Sequence, residues 1–205
     1  MNQDYIVSNN WSIIEEGFEA DRVKSSESLF SIGNGAMGQR ANFEEEYSGD
    51  TFQGSYIAGV YYPDKTKVGW WKNGYPESFA KVLNSCNWIG LNVWINNVSL
   101  DLYKTPPKTF SRELNMKEGW LSRSFNAVLP AGEEIEVETK RFISVKYNEV
   151  GAIEYHIKAV NFSGEITFSP YLDAGIMNED TNYDEYFWET FKIPLQMQFF
   201  SKRMQ

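Results

Sequence analysis

From Ile89 to Phe168 apolar residues recur at every second position within successive short runs, and this alternation limits the fold more than any other feature of the chain. Ile89, Leu91, Val93 and Ile95 alternate with Gly90, Asn92 and Trp94. Ile135 and Val137 alternate with Glu134, Glu136 and Glu138 ahead of Phe142 to Val145, and Ile153, Tyr155, Ile157 and Ala159 alternate with Ala152, Glu154, His156 and Lys158. Leu121, Arg123 and Phe125 share one phase of Trp120 to Phe125, and Ile166 and Phe168 close the series before Pro170. A strand throws successive side chains to opposite faces. Period two therefore means one buried and one wetted face, as in antiparallel sheets, and not the two buried faces of parallel ones. Asn96-Asn97 suits a tight hairpin turn into Ser99 to Tyr103. Repeated strands with turn punctuation predict an all-β fold, a large antiparallel β-sandwich.

The N-terminal half is less regular. Trp11 to Phe18 reads as a short strand entering the fold. Gly33, Gly35 and Gly38 crowd the stretch ESLFSIGNGAMGQRANFEEE, where glycine permits positive φ and close backbone approach. The spacing Gly33-x-Gly35-x-x-Gly38 matches a dinucleotide fingerprint, but that motif must open an amphipathic helix, and Gln39 to Gly49 has no apolar helical spacing beyond Phe43 and Tyr47. The glycines instead predict a β-corner between strands Ser28 to Ile32 and Met37 to Phe43. A third strand is expected over Ser55 to Tyr62, closed by Pro63-Asp64. Tyr75-Pro76-Glu77 is expected to begin a short helix, with Phe79, Val82 and Leu83 on one face.

A chain of 205 residues, 42% of them hydrophobic, can bury a sizeable core as one domain. The tail from Asp184 to Gln205 carries Tyr186, Phe187, Trp188, Phe191, Phe199 and Phe200 without a cap or turn signal, so the domain is expected to continue past the chain's last residue. A net charge of −9 argues against nucleic acid and anionic membranes, both of which need clustered Lys and Arg. No secretion signal and no apolar run of membrane-spanning length is present, which leads us to expect a cytoplasmic protein, and the acceptor patterns at Asn10, Asn97 and Asn161 are then chance matches. The single cysteine, Cys86, excludes an internal disulfide and a multi-cysteine metal site.

No catalytic constellation is legible. The run Glu44-Glu45-Glu46 reads as a solvated loop, His156 falls on the polar face of its strand, and Cys86 has no histidine near it in sequence. Two stretches keep functional residue types. Trp70, Trp71, Lys72, Asn73 and Tyr75 form a glycine-bounded loop suited either to leaning over a sugar pocket or to anchoring itself by its aromatic rings. Arg40, with Asn34 and the acidic run, is suited either to contacting substrate or a neighbouring domain, or to turn-stabilising salt bridges with Glu44 and Glu45.

The stretch ESLFSIGNGAMGQRANFEEE followed by GSYIAGVYYPDKT resembles the N-terminal domain of glycoside hydrolase family 65, the inverting disaccharide phosphorylases and their relatives. The resemblance extends through Arg112-Glu113-Leu114-Asn115-Met116, Gly119 to Phe125 and Lys140 to Ser144, and covers nearly all of Trp11 to Asp180. The loop VGWWKNGYPESFAKVLN is most similar to the maltose phosphorylase branch of the family. Ala36 and Ala41 depart from the family pattern, which favours a bulkier residue and a glycine there. The resemblance implies a super-sandwich of the galactose-mutarotase-like kind, joined through a helical linker to an (α/α)₆ barrel that lies outside this chain. That barrel would carry the general acid and the phosphate-binding residues. It further implies an α-linked glucose disaccharide as substrate, inorganic phosphate as co-substrate, no metal or organic cofactor, and a homodimeric whole enzyme. Residues 1–205 would then be a non-catalytic N-terminal β-sandwich domain providing scaffold, interdomain contacts through the stretch from Gly33 to Glu45, and a loop at the pocket rim. The alternatives are a stand-alone carbohydrate-binding module and a family member that hydrolyses another α-glucoside.

Overall fold

The computed structural model describes residues 5–66, 74–178 and Trp188. Its largest element is a six-stranded sheet built from β1 (Ile6–Ser8), β2 (Ser12–Glu16), β10 (Thr109–Asn115), β11 (Trp120–Val128), β12 (Glu134–Ile143) and β13 (Gly151–Ala159), in the order β1-β2-β10-β11-β12-β13. Every pairing recorded in it is antiparallel. The pattern of β12, EIEVETKRFI, alternates strictly between buried and open positions, as its sequence predicts. Successive strands from β10 to β13 pair with their neighbours in sequence, which is the arrangement short turns favour.

Against this sheet lie two smaller ones. β14 (Ile166–Pro170), β8 (Leu91–Ile95) and β9 (Val98–Ser99) pair in the order β14-β8-β9, and β3 (Ile32–Gly33), β4 (Met37–Gln39) and β5 (Ser55–Ile57) in the order β3-β4-β5. Val93 and Ile95 of β8 pack with Phe110, Phe125, Ala127, Ile135 and Val137 of the large sheet, forming one apolar layer. Phe30, Ile32 and Ala41 pack with Leu121 and Ile143 to form a second layer at the other end. The expected all-β antiparallel sandwich is the observed architecture. The Asn96-Asn97 turn is confirmed by φ values of 49° and 67°, the left-handed pair that a two-residue hairpin requires, although the returning strand is only Val98–Ser99 and not Ser99 to Tyr103.

Four local expectations are corrected. Ser28 to Ile32 is not a strand: α1 (Val23–Leu29) occupies its first part, preceded by a 3₁₀ turn at Ala20–Arg22. Val23, Ser26 and Glu27 are its buried residues, at helical spacing, but two of the three are polar, so an apolar pattern does not reveal the helix. The strand after the glycines ends at Gln39, because the chain from Arg40 to Glu45 leaves the sheet to cross the sandwich interior. Ser55 to Tyr62 is broken by a turn at Gly59, whose φ is +80°, into β5 and β6 (Tyr61–Lys65). Pro63 and Asp64 therefore lie inside β6, in a two-stranded ribbon whose free edges tolerate proline. Finally, Ser78–Val82 is β7, the partner of β6, and not a helix. Tyr61, Tyr62, Phe79 and Val82 belong to strand-forming residue types, and pairing with β6 overrides the helical spacing of Phe79 and Val82. Among the described residues no helix is long and apolar enough to cross a membrane.

Candidate functional site

The glycine stretch folds as a tight hairpin. β3 and β4 pair through Ile32↔Gln39 and Gly33↔Gly38, and Gly35 takes φ +88° between them. Asn34 holds the turn: its Oδ1 accepts from the Ala36 and Met37 amides at 2.9 and 2.7 Å, and its Nδ2 donates to the Ser144 carbonyl at 2.7 Å. The side chain thus ties the hairpin to the loop that follows β12. A Cβ on Gly33 would stand 2.9 Å from the Met37 carbonyl oxygen, so this glycine is required by close approach. Gly38 carries no comparable crowding.

Beyond the hairpin, Arg40 to Glu45 runs across the inner face of the six-stranded sheet, between the two apolar layers. Glu44 and Glu45 are 2% and 4% exposed, which overturns the expectation of a solvated acidic loop; Glu46 alone of the three is open to solvent. Their partners come from the sheet. Arg123 Nη2 donates to Glu44 Oε2 at 2.5 Å and to Glu45 Oε2 at 2.6 Å, while Arg141 Nη1 donates to Glu44 Oε1 and to the Asn42 carbonyl, both at 2.9 Å. Arg141 Nη2 takes the Arg40 carbonyl at 2.9 Å, and the Tyr155 hydroxyl donates to Glu45 Oε1 at 2.6 Å. Arg112 lies beside Arg123 in the register, 3.6 Å by its Nε from Glu15 Oε2, with its guanidinium over the rings of Phe30, Phe43 and Phe110. Glu27 on α1 accepts from the Thr51 hydroxyl and, at 2.7 Å, from the Phe52 amide. A belt of charge therefore crosses the interior of the sandwich.

The ionisation of these groups follows from their pairing. Burial opposes the charge of Glu44, but Arg141 and Arg123 outweigh it and hold its carboxyl below the ordinary carboxylate range. Burial likewise opposes protonation of Arg123, yet Glu45 and Glu44 raise it above the usual value. Arg112, with only the longer contact to Glu15, is brought down by burial to about 10. Burial and the Glu45 carboxylate push the Tyr155 hydroxyl well above 10, so it remains a neutral donor. Groups paired this closely and closed to solvent hold the interior of the sandwich together.

Arg40 departs from expectation. Its Nε donates to the Phe52 carbonyl at 2.9 Å, its Nη2 to the Lys24 carbonyl at 3.1 Å, and its guanidinium covers the Phe52 ring at 4.5 Å, so its recorded partners are backbone and aromatic, not Glu44 or Glu45. Trp70, Trp71, Lys72 and Asn73 lie outside the described residues. Tyr75, at the end of that loop, is 46% exposed and meets Phe79 edge-on at 6.4 Å. Near it, Met37, Ile57, Val60, Tyr61, Ala80 and Val82 line an apolar depression of about 390 Å³ beside the glycine hairpin. His156 is a surface side chain as expected, paired with Glu154 at 2.9 Å. Burial, and next Asp173, raise the Cys86 thiol above its ordinary value, which makes it a poor nucleophile. Among the described residues no three His, Cys, Asp or Glu side chains are grouped to hold a metal ion.

The sequence of residues 13–202 matches the family model for the N-terminal domain of glycosyl hydrolase family 65. The chain belongs to this family. It is 45% identical to maltose phosphorylase of Bacillus subtilis over 189 residues, 92% of this chain and 25% of that protein. Against the α,α-trehalose phosphorylase of Thermoanaerobacter brockii the identity is 31%, over 85% of this chain and 23% of the relative. A solved structure assigned as a kojibiose phosphorylase from the human microbiome superposes with a TM-score of 0.78 at 25% identity, covering 92% of this chain and 25% of the other. The chain thus spans about a quarter of the length of these family 65 relatives.

Proposed function

We propose that this chain is the non-catalytic N-terminal β-sandwich of an inverting α-glucoside phosphorylase. In the whole enzyme an α-linked glucose disaccharide, with maltose the leading candidate, and inorganic phosphate would yield β-glucose 1-phosphate and glucose. Inversion calls for a carboxylic acid that protonates the leaving oxygen while the nucleophile arrives from the opposite face, and phosphate calls for positioned cationic donors. The observation that carries the reading is the fate of Glu44, Glu45, Arg123 and Arg141: each is 5% exposed or less and ion-paired within the set, so this concentration of acid and cation serves the sandwich and leaves the chemistry to the longer polypeptide. The apolar depression beside the glycine hairpin, together with exposed Tyr61, Tyr62 and Phe79, supplies the face for the catalytic barrel, and the loop reaching Tyr75 supplies the pocket rim. The whole enzyme is taken to be homodimeric. Calorimetric titration of residues 1–205 with maltose and longer α-glucans separates this from a stand-alone binding module. The scaffold reading predicts no heat of binding at millimolar sugar; saturable heat would replace it with the binding-module reading.

A further inference from the structure

Apart from Asp64 and Lys81, which pair with each other at 3.2 Å, every residue of β6 and β7 is exposed. Among the described residues this ribbon shares no strand pairing with the other sheets and contributes to neither apolar layer. The points where it joins the sandwich therefore decide where it stands. At Gly59 the chain turns from β5 into β6 with φ +80°, and a Cβ there would meet nothing within 4 Å, so this glycine serves the backbone turn and not packing. Past β7 the chain re-enters the core at Leu83 and Asn84, 5% and 3% exposed.

That second point is fastened by side chains. The Asn178 carboxamide accepts from the Asn84 amide at 2.9 Å and donates to the Val82 carbonyl at 2.7 Å, doing what the peptide group of a neighbouring strand would do. Trp188 Nε1 donates to the Asn84 carbonyl at 2.7 Å. The Asn84 carboxamide in turn reaches toward β5: its Oδ1 accepts from the Ser55 amide at 2.9 Å and its Nδ2 donates to the Gln53 carbonyl at 2.7 Å. Asn178, 8% exposed, is carried there by a run that lies antiparallel to the chain before and within β8. Pairing in that run passes from Pro170 and Leu91, through the Tyr171 amide and the Gly90 carbonyl, to Asp173 and Asn87. The apolar depression has Met37 and Ile57 in its sandwich wall, Tyr61, Ala80 and Val82 in its ribbon wall, and Gly59 between them in sequence.

We propose that the β6–β7 ribbon is a flap that hinges at Gly59 and is latched by Asn178, and that the latch sets the width of the apolar depression. Rotation at Gly59 carries Tyr61, Ala80 and Val82 as one wall against Met37 and Ile57 as the other. With the carboxamide in place, both ends of the ribbon are fixed. Without it, the Asn84 amide and the Val82 carbonyl lose their recorded partner, and the ribbon is held by its hinge and by Asn84 alone. The inference concerns residues 1–205 and stands apart from the catalytic reading.

Distance measurement by electron spin resonance tests it, with labels on Ala36→Cys and Ala80→Cys, one on each wall, in a Cys86→Ser background. One narrow distance is expected in the otherwise unchanged chain. Asn178→Ala, and Asn178→Leu, which keeps the bulk without the hydrogen bonds, are both expected to broaden it. In both, the Asn84 amide is expected to exchange about tenfold faster while the β11 and β12 amides keep their protection. A distance distribution that is unchanged in both variants overturns the inference, as does one that is already broad with Asn178 present. Loss of β11 and β12 protection in both variants also overturns it, since Asn178 would then hold the whole sandwich and not the flap.

Discussion

Glu44→Gln is the sharpest perturbation of the charge belt. The carboxylate is 2% exposed and accepts from two guanidinium groups, at 2.5 Å from Arg123 and 2.9 Å from Arg141. The amide keeps the volume and one acceptor oxygen, but it removes the negative charge and turns an NH₂ group toward an arginine that is itself a donor. Each close pair is worth about 4 kcal/mol at an effective dielectric near 20, and part of that returns because the amide is cheaper to bury. Removing one partner of such a buried set costs about 3–5 kcal/mol. For a chain of this size that lowers the melting temperature by roughly 6–20 °C. Urea unfolding followed by tryptophan fluorescence measures it, with Glu46→Gln as the solvent-exposed control, expected within about 0.5 kcal/mol of the parent. If Glu44→Gln lies within about 1 kcal/mol of the parent, the belt is not what holds the hairpin stretch on the sheet.

Other outcomes follow from the same geometry. Asp101 is brought down to about 2: burial works against its ionisation, but donors from Ser48, Lys104 and Tyr103 outweigh it. Its contribution, about 2 kcal/mol, is complete above the unfolded value near 4 and is lost as pH falls toward 2, so Asp101→Asn should flatten acid unfolding in that window. In the alkaline direction, burial and Glu27 raise Tyr47 to about 12, and burial with Glu45 raises Tyr155 further above its ordinary value. Stability from these hydroxyls is complete below pH 10 and lost above it, and Tyr155→Phe should remove the latest phase of phenolate absorbance. Gly35→Ala should cost about 1–2 kcal/mol, because φ of +88° is strained for any side chain, while Gly38→Ala in the same hairpin should cost less than Gly33→Ala, whose Cβ would meet the Met37 carbonyl.

The large sheet was legible because its inner face is largely apolar at every second residue, so β11, β12 and β13 appear in the pattern itself, as do β8 and β14 of the sheet packed against it. The belt was not legible, for the same reason reversed. Arg112, Arg123 and Arg141 occupy the apolar phase of their strands, and only their placement beside Phe110, Leu121, Phe125 and Ile143 hints that they are buried. A buried arginine demands a buried acid, and the chain's densest acidic run is Glu44-Glu45-Glu46. That pairing spans about 80 to 100 residues of sequence, beyond the reach of local periodicity. α1 was missed because its inward face is Ser26 and Glu27, and β7 because its partner β6 lies across a loop that hides the ribbon. The apolar rhythm shows where a core is, not which polar groups cross it.

The most direct test of the account is turnover by the chain itself. Residues 1–205, purified and confirmed folded, are incubated with maltose and inorganic phosphate, and β-glucose 1-phosphate is measured with a coupled enzyme assay. The account predicts no product above the enzyme-free rate. Product formation that scales with chain concentration and is abolished by Glu44→Gln in a variant that remains folded would contradict it, and would move the chemistry into the belt described here as structural.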